Sequence, residues 1–207
     1  MTNLKKSELE KLYKEYEKKS DETFKETMPH EFVWGYGDAS SKVVLIGEAP
    51  GRDEVKQGRP FVGKAGQMLT AFLTDAGIPR DELFITNTIK FRLSKPGAKE
   101  GTLKNRPATK KEIIFSCGFL KREIEIIKPR IVVTMGNVPL KAALICSGLS
   151  ENEIGTMHGK PVNKGFGVDD TILYPIYHPA SLIYNRGLEE VYKNDLFELS
   201  KMSEKFF

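Results

Sequence analysis

The chain alternates short apolar runs with segments in which apolar residues recur at helical spacing. Four runs have the length and the aliphatic composition of buried strands, at 42–47, 83–86, 130–135 and 171–177. Helical spacing predicts helices over about 7–26, 66–76, 109–128, 137–146 and 188–202. Strands that alternate with helices favour βαβ units with helices on both faces of a sheet. We therefore expect an α/β fold, a three-layer α/β/α sandwich with a central four-stranded, mostly parallel sheet.

Length and composition suggest one domain. The chain has 207 residues, of which 40% are apolar, so a sizeable core is possible. We expect a single domain over 1–207, with 1–30 as an N-terminal helical extension. No apolar run approaches the roughly 20 residues that cross a bilayer. The charged N-terminus has no apolar secretion segment, and only two cysteines occur, Cys117 and Cys146. These features predict a cytoplasmic protein that does not enter a membrane.

Candidate functional residues follow three of the four strands directly. Glu48 follows the first strand, Asn87 the second and His178 the last. In an open α/β sheet, ligands bind in the crevice outside the carboxyl ends of the strands. These side chains, remote in sequence, can therefore converge on one pocket.

Each candidate has a structural alternative. The segment 47–51 (GEAPG) is small enough for the backbone to approach a ligand, and a carboxylate there can position water or stabilise positive charge; it could equally be a tight turn. The Asn87 amide carries a donor and an acceptor that can read a base edge, but asparagine often bonds within turns. His178 can donate to a developing oxyanion, or it can be a satisfied structural histidine.

The segment 58–65 (GRPFVGKA) superficially matches a phosphate-binding P-loop. Ala65 stands where the magnesium-binding Ser/Thr is needed, and the segment begins eleven residues after the strand, so an ATPase is not expected. Phe61 could present a flat apolar face beside the pocket, or it could be a core aromatic residue. No CxxC, HExxH or GxSxG pattern occurs, and we expect no metal site from spacing of this kind.

A basic segment spans 90–111, with eight lysines and arginines against one acid, Glu100. Such a surface attracts phosphate backbones, although a solvated, flexible loop is the alternative. The net charge of +4 alone does not indicate nucleic-acid binding. The apolar residues at 181–184 could form a wedge that enters stacked bases.

In combination, four segments resemble the uracil-DNA glycosylase superfamily, particularly its family 4 enzymes. These segments are VVLIGEAPGRDE (43–54), QGRPFVGKAGQML (57–69), LFITNTIKFR (83–92) and YHPASL (177–182). The resemblance implies an enzyme that flips uracil out of DNA and hydrolyses the N-glycosidic bond without cutting the strand. Two alternatives stay open: a non-catalytic DNA-binding relative, and a glycosylase for hypoxanthine or xanthine. We expect uracil-containing DNA as the partner and a monomeric protein.

The resemblance also implies roles for individual residues. It places Glu48 near the sugar and the hydrolytic water, and His178 at the uracil oxygen where negative charge grows. The substrate-binding residues that it implies are Gly47, Ala49, Pro50, Phe61 and Asn87. We expect DNA contacts from Gly51, Lys90, Arg92, Asn105, Arg106, Ser181 and Leu182.

One departure from family 4 concerns a cofactor. Those enzymes carry a 4Fe-4S cluster on four cysteines, of which only the last has a counterpart here, Cys117. Phe91 stands where the third would be. From this we predict that no 4Fe-4S cluster and no other cofactor is present. We further expect Phe91 to pack with aromatic residues of the first helix, Tyr13, Tyr16 and Phe24.

Overall fold

The computed structural model of the chain describes residues 2–27, 30–99, 102–163 and 165–207. Its central sheet contains the four predicted strands, all parallel, and a short fifth strand that pairs antiparallel at one edge. The strands of this sheet are β1 (Val43–Gly47), β2 (Phe84–Asn87), β5 (Ile131–Met135), β6 (Val162–Asn163) and β7 (Ile172–Ile176). Their spatial order is β2-β1-β5-β7-β6. The α/β sandwich is confirmed, whereas the strand count of four is corrected to five, because β6 has only two residues and shows no readable alternation.

The predicted helices are present, together with three short ones. The helices are α1 (Thr2–Thr23), α2 (Arg52–Gln57), α3 (Lys64–Asp75), α4 (Lys110–Ile127), α5 (Asn137–Ser147), α6 (Ile154–Met157), α7 (Ser181–Tyr184) and α8 (Glu189–Ser203). A capping box begins α4: the Thr109 side chain accepts from the Glu112 N–H, and the Glu112 carboxylate accepts from the Thr109 N–H. Within the described ranges, no helix is both long and apolar enough to span a bilayer.

Each central strand contributes to two hydrophobic cores, because successive side chains point to opposite faces of the sheet. Val44 and Ile46 of β1 face a core shared with α1, α4 and α5. Val43 and Leu45 face the other core, with residues of α3 and α8. Burial on both faces explains why the strands are continuous apolar runs. The sheet is therefore fixed from both sides, and its carboxyl edge is a rigid platform for the residues that follow each strand.

A small hairpin occupies part of the basic segment 90–111. Strands β3 (Ser94–Pro96) and β4 (Leu103–Asn105) pair antiparallel, with Lys95 opposite Lys104. Glu100, the one acid of the basic segment, lies outside the described residues. Three exposed lysines lie on this hairpin and are called the hairpin lysines below: Lys95, Lys99 and Lys104.

Candidate active site

A cavity of about 520 Å³ opens at the carboxyl edge of the parallel strands. It is bounded by the loop after β1, the loop before α3, the end of β2, the hairpin and the turn after β7. Its lining includes Ala49, Gly51, Asp53, Glu54, Phe61, Asn87, Arg92, Leu103, Asn105 and His178. Three of the four side chains expected around a uracil, those of Phe61, Asn87 and His178, therefore meet in one hollow. A cavity of this size is typical of a small-molecule site.

The floor of the cavity depends on the absence of a side chain at Gly47. Gly47 ends β1 and pairs in register with Asn87 of β2. A Cβ atom at Gly47 would lie 2.5 Å from Asn87 Oδ1 and 2.6 Å from the Phe61 ring. Both separations are well inside van der Waals contact, so only glycine lets the amide and the ring approach the same point. Pro50 is buried in the loop that follows and is not in the cavity lining.

The loop that carries Phe61 is held from outside the cavity. Phe61 has a φ of 54°, a left-handed conformation that is rare for a bulky residue. Its carbonyl accepts a hydrogen bond from Arg80 Nη2 at 2.9 Å, and Arg80 Nη1 donates to Thr70 Oγ1 at 2.9 Å. Arg80 thus ties the loop to α3. A strained conformation of this kind persists only where surrounding contacts fix it. In this conformation the Phe61 ring lies beside Gly47.

His178 is fixed in one tautomer. The Ala180 N–H donates to His178 Nδ1 at 3.1 Å, so Nδ1 is the acceptor and the proton of a neutral ring lies on Nε2. Burial lowers the pKa of His178 to about 4, against a smaller opposing effect of Glu54. The ring is therefore neutral near pH 7 and presents one N–H donor. Its centroid lies 5.8 Å from that of Phe61, with the planes inclined by 36°.

An acidic residue outside the predicted set, Glu54, organises the same loops. Glu54 Oε2 accepts from the Gly51 N–H at 3.1 Å, and Oε1 accepts from the Gly63 N–H at 3.0 Å. One carboxylate therefore connects the loop after β1 to the loop that follows Phe61. The sequence carries a partial signal for it, because a Glu three residues after the N-cap Gly51 matches the acidic half of a capping box. Asp53, its neighbour, also lines the cavity.

Glu48 is placed differently from the other candidates. Its backbone carbonyl accepts from the Ile89 N–H at 3.0 Å, which joins the loop after β1 to the chain beyond β2. Its side chain is half-buried, and this burial raises the pKa of its carboxyl group. A hydrogen bond with the backbone of Ala108 has a smaller effect that lowers the pKa. Among the described residues, those that line the cavity include Asp53 and Glu54 but not Glu48.

Three of the seven residues predicted to contact DNA line the cavity, and four do not. Gly51, Arg92 and Asn105 line the cavity mouth, and Arg92 Nε donates to Asn105 Oδ1 at 3.4 Å. Arg106 is engaged within the protein, since its guanidinium donates to both carboxylate oxygens of Glu112 at 3.0 and 2.5 Å. Ser181 is half-buried, and its N–H donates to the carbonyl of His178 at 2.8 Å.

Two predicted DNA contacts are corrected by the geometry. The Lys90 side chain is 2% exposed and lies in an ion pair with Glu123, so it cannot reach a phosphate from outside. Leu182 is 5% exposed and packs in the core beside α8. On the same short helix, Ile183 is 52% and Tyr184 is 90% exposed. The exposed apolar side chains of the segment 181–184 are therefore those of Ile183 and Tyr184, because Leu182 faces inward.

Comparison with known proteins shows the family of the chain. A family model described as the Uracil DNA glycosylase superfamily matches residues 34–199. The chain belongs to this superfamily. It is 34% identical over 172 residues to a Type-4 uracil-DNA glycosylase of Sulfurisphaera tokodaii, covering 83% of this chain and 74% of the relative. A Type-4 enzyme of Archaeoglobus fulgidus is 32% identical, with 84% and 83% covered. A Type-5 uracil-DNA glycosylase of Pyrobaculum aerophilum is 30% identical, with 74% and 70% covered.

The first two of these relatives correct the prediction that the protein has no cofactor. They are named Type-4 enzymes, the group for which the resemblance implies a 4Fe-4S cluster, and this contradicts that prediction. The cysteines of this chain do not by themselves fit such a cluster, which needs four thiolates where the sequence has two. Cys146 Sγ lies 3.3 Å from the Cys117 carbonyl, and Phe91 packs against Tyr16 and Phe24.

Proposed function

We propose that this chain is a uracil-DNA glycosylase that hydrolyses the bond between uracil and deoxyribose and leaves an abasic site. The observation that carries the proposal is the convergence of Phe61, Asn87 and a neutral, singly oriented His178 on one cavity at the carboxyl edge of the sheet. An enzyme that acts on a base must take it out of the stack into such a pocket. Family membership supports the same reaction.

Recognition of the base is assigned to Phe61 and Asn87. Phe61 offers an aromatic face against which a flat pyrimidine can stack. The Asn87 amide can donate to a uracil carbonyl and accept from its N–H, whereas cytosine would meet this amide with a different order of donors and acceptors. A site built to hydrogen-bond one base edge rejects another because its buried polar groups are left unpaired. Gly47 supports this recognition by admitting both side chains to the floor of the cavity.

His178 is assigned to the leaving group. When the glycosidic bond breaks, uracil departs as an anion, and a donor aimed at its oxygen stabilises that charge as it develops. The Nε2–H of His178 is available for this role because Nδ1 already accepts from Ala180. One such donor is worth about 3 to 4 kcal/mol in comparable oxyanion sites. The low pKa means that donation needs no charged imidazole near neutral pH.

The sugar becomes positively charged as the base leaves, and carboxylates can stabilise it without forming a covalent bond. From the sequence, we propose Glu48 for this role and for orienting water. Glu54 and Asp53 are alternatives, because they line the cavity and Glu48 does not. Single-turnover excision by Glu48→Gln tests the first assignment, and a rate equal to that of the wild type would favour Asp53 or Glu54. Glu54→Gln alone does not decide, because it also removes an acceptor from the contacts that join two loops.

Duplex DNA is proposed to lie across the cavity mouth. The hairpin, which lines the cavity through Leu103 and Asn105, carries the exposed hairpin lysines, and Ile183 and Tyr184 are exposed after β7. Apolar side chains that enter a base step unstack it and favour extrusion of the target nucleotide. We further propose that the protein acts as a monomer and that it lies in the cytoplasm.

The experiment uses oligonucleotides that carry one uracil, hypoxanthine or xanthine, followed by alkaline cleavage of abasic sites. We expect cleavage at uracil alone. Asn87→Ala and His178→Ala should lower the single-turnover rate by about 100-fold or more while DNA binding persists. His158→Ala, at a histidine outside the cavity lining, is the matched control. Full activity in both cavity variants would contradict the mechanism, and cleavage at no base would favour a non-catalytic DNA-binding protein.

A further inference from the structure

A buried lysine lies directly behind the residue that reads the base. Lys90 has a 2% exposed side chain, and its ammonium group donates to three oxygens. These acceptors are Glu123 Oε2, Thr86 Oγ1 and the main-chain carbonyl of Asn87, each at 2.6 Å. Two of the three belong to the end of β2. The ammonium therefore connects the peptide group of Asn87 to a carboxylate on α4.

The carboxylate is itself held by two further donors. Tyr13 Oη donates to Glu123 Oε1 at 2.5 Å, and Thr86 Oγ1 is 3.2 Å from the same oxygen. Glu123 is fully buried, so its orientation is fixed by these contacts and by Lys90. The network reaches from α1 through α4 to the carboxyl end of β2. It ends on the backbone that determines where the Asn87 amide points.

Stability alone does not explain this arrangement. Removing two charges from water is costly, and buried ion pairs can often be replaced by apolar residues of similar volume without loss of stability. Burial lowers the pKa of Lys90, and the charge of Glu123 opposes that effect. An apolar pair at these positions would fill the same space but would leave the carbonyl of Asn87 without the lysine donor. The contact with Asn87 is therefore the feature that distinguishes the lysine from an apolar replacement.

We propose that Lys90, held by Glu123, is a positioning residue that fixes the Asn87 peptide and so aims its amide at the base edge. This inference rests on the proposed function, because it concerns the efficiency of uracil excision. It assigns to Lys90 a role inside the protein in place of a contact with DNA. A misplacement of about 1 Å in a reactive arrangement can lower a rate by about 100-fold.

The test compares Lys90→Met with the double variant Lys90→Met/Glu123→Leu in the full-length chain. The single variant leaves a carboxylate buried without its main partner and should lose thermal stability. The double variant should recover a Tm close to that of the wild type. Its single-turnover excision should nevertheless stay about 100-fold low, with the Kd for uracil-containing DNA changed by less than about threefold. A double variant that recovers both Tm and excision rate would overturn the proposal.

Two further variants keep the test decisive if the double variant does not fold. Lys90→Arg preserves the charge and the pairing with Glu123, but its planar guanidinium cannot place one donor as the ammonium does. A folded Lys90→Arg protein should lose at least about tenfold in rate, and wild-type activity in it would contradict the inference. Tyr13→Phe removes a hydrogen bond to Glu123 but leaves the contact between Lys90 and the Asn87 carbonyl in place, so its loss of rate should be smaller than that of Lys90→Arg. An equal loss in Tyr13→Phe would assign the effect to Glu123 and overturn the role of the Asn87 contact.

The outcome is separable from that of the proposed function. If the wild-type chain excises no uracil, the proposed function fails. If the wild type is active and the stability-matched double variant is equally active, only the positioning role fails.

Discussion

The protonation of His178 gives a quantitative prediction. Burial lowers the pKa of this histidine from an ordinary 6.5 to about 4 in the folded protein. The unfolded chain exposes the ring to water, and its pKa then returns to the ordinary value. His178→Asn removes the titrating group while keeping a polar side chain of smaller size. The pH dependence of stability should therefore differ between the wild type and this variant.

The sign and the size follow from proton linkage. Between pH 6.5 and about 4, the unfolded state binds more protons at this position than the folded state, so stability falls as the pH falls. Above pH 6.5 the ring is neutral in both states, and the full stability is present. With these two pKa values, wild-type stability drops by about 2 kcal/mol between pH 7 and pH 5 because of this histidine alone.

The assay is urea unfolding of both proteins at pH 7 and at pH 5. Carboxyl groups that titrate in this range are common to both proteins and cancel in the difference. The stability of His178→Asn relative to the wild type should therefore rise by about 2 kcal/mol on moving to pH 5. His158→Asn is the control, since it removes a histidine outside the cavity lining and should not abolish the dependence assigned to His178.

An independent readout is the imidazole resonance of His178, which should titrate with a midpoint near 4. A midpoint near 6.5, together with an unchanged pH dependence in His178→Asn, would refute the reasoning. The ring would then be substantially charged under mildly acidic conditions, and the assignment of a neutral Nε2–H donor would fail.

Three other predictions test other parts of the site. Gly47→Ala places a methyl group about 2.5 Å from the Asn87 amide oxygen, so single-turnover excision should fall at least about tenfold in a folded protein. Replacing all three hairpin lysines by alanine should weaken DNA binding and reduce the slope of log K against log salt by about 2 to 3. Tyr184→Ala should lower excision from duplex DNA more than from single strands, because the protruding ring is needed only where bases are stacked.

Each of these predictions has a contradicting result, and the hairpin variant also has a matched control. An unchanged rate in Gly47→Ala would show that the close approach to Asn87 is unimportant. The control for the hairpin replaces three exposed lysines of α1 by alanine, at Lys11, Lys14 and Lys18, and should leave the salt slope unchanged. Equal slopes in the two triple variants would reject the hairpin as a DNA contact. Equal losses on single and double strands in Tyr184→Ala would reject the wedge.

The sheet and most of the site can be predicted from sequence for one physical reason. Parallel strands buried on both faces appear as apolar runs, and the polar residue after each run lies at the same edge of the sheet. This pattern selects Glu48, Asn87 and His178, of which the last two line the cavity. It does not reveal β6, whose two residues carry no pattern, or the hairpin, whose strands are mainly exposed and polar.

The two corrected DNA contacts and the missed residue Glu54 share another cause. Their positions depend on how the folded chain packs, which the local sequence does not show. Lys90 lies in a basic segment and resembles its exposed neighbours, but its burial depends on Glu123, which is 33 residues away in sequence. Leu182 belongs to an apolar stretch too short to show which residue faces the core. The role of Glu54 is to join two loops, and such a contact exists only after the chain has folded.

A crystal structure of the protein with bound uracil is the most direct test of the central claim. It shows whether one cavity gathers the groups that recognise and release uracil. We predict the base in the cavity at the carboxyl edge of the sheet, stacked on Phe61, with the Asn87 amide at its edge and His178 Nε2 within hydrogen-bond distance of an oxygen. Uracil bound elsewhere, or bound in this cavity with neither Asn87 nor His178 in contact, would contradict the proposed mechanism.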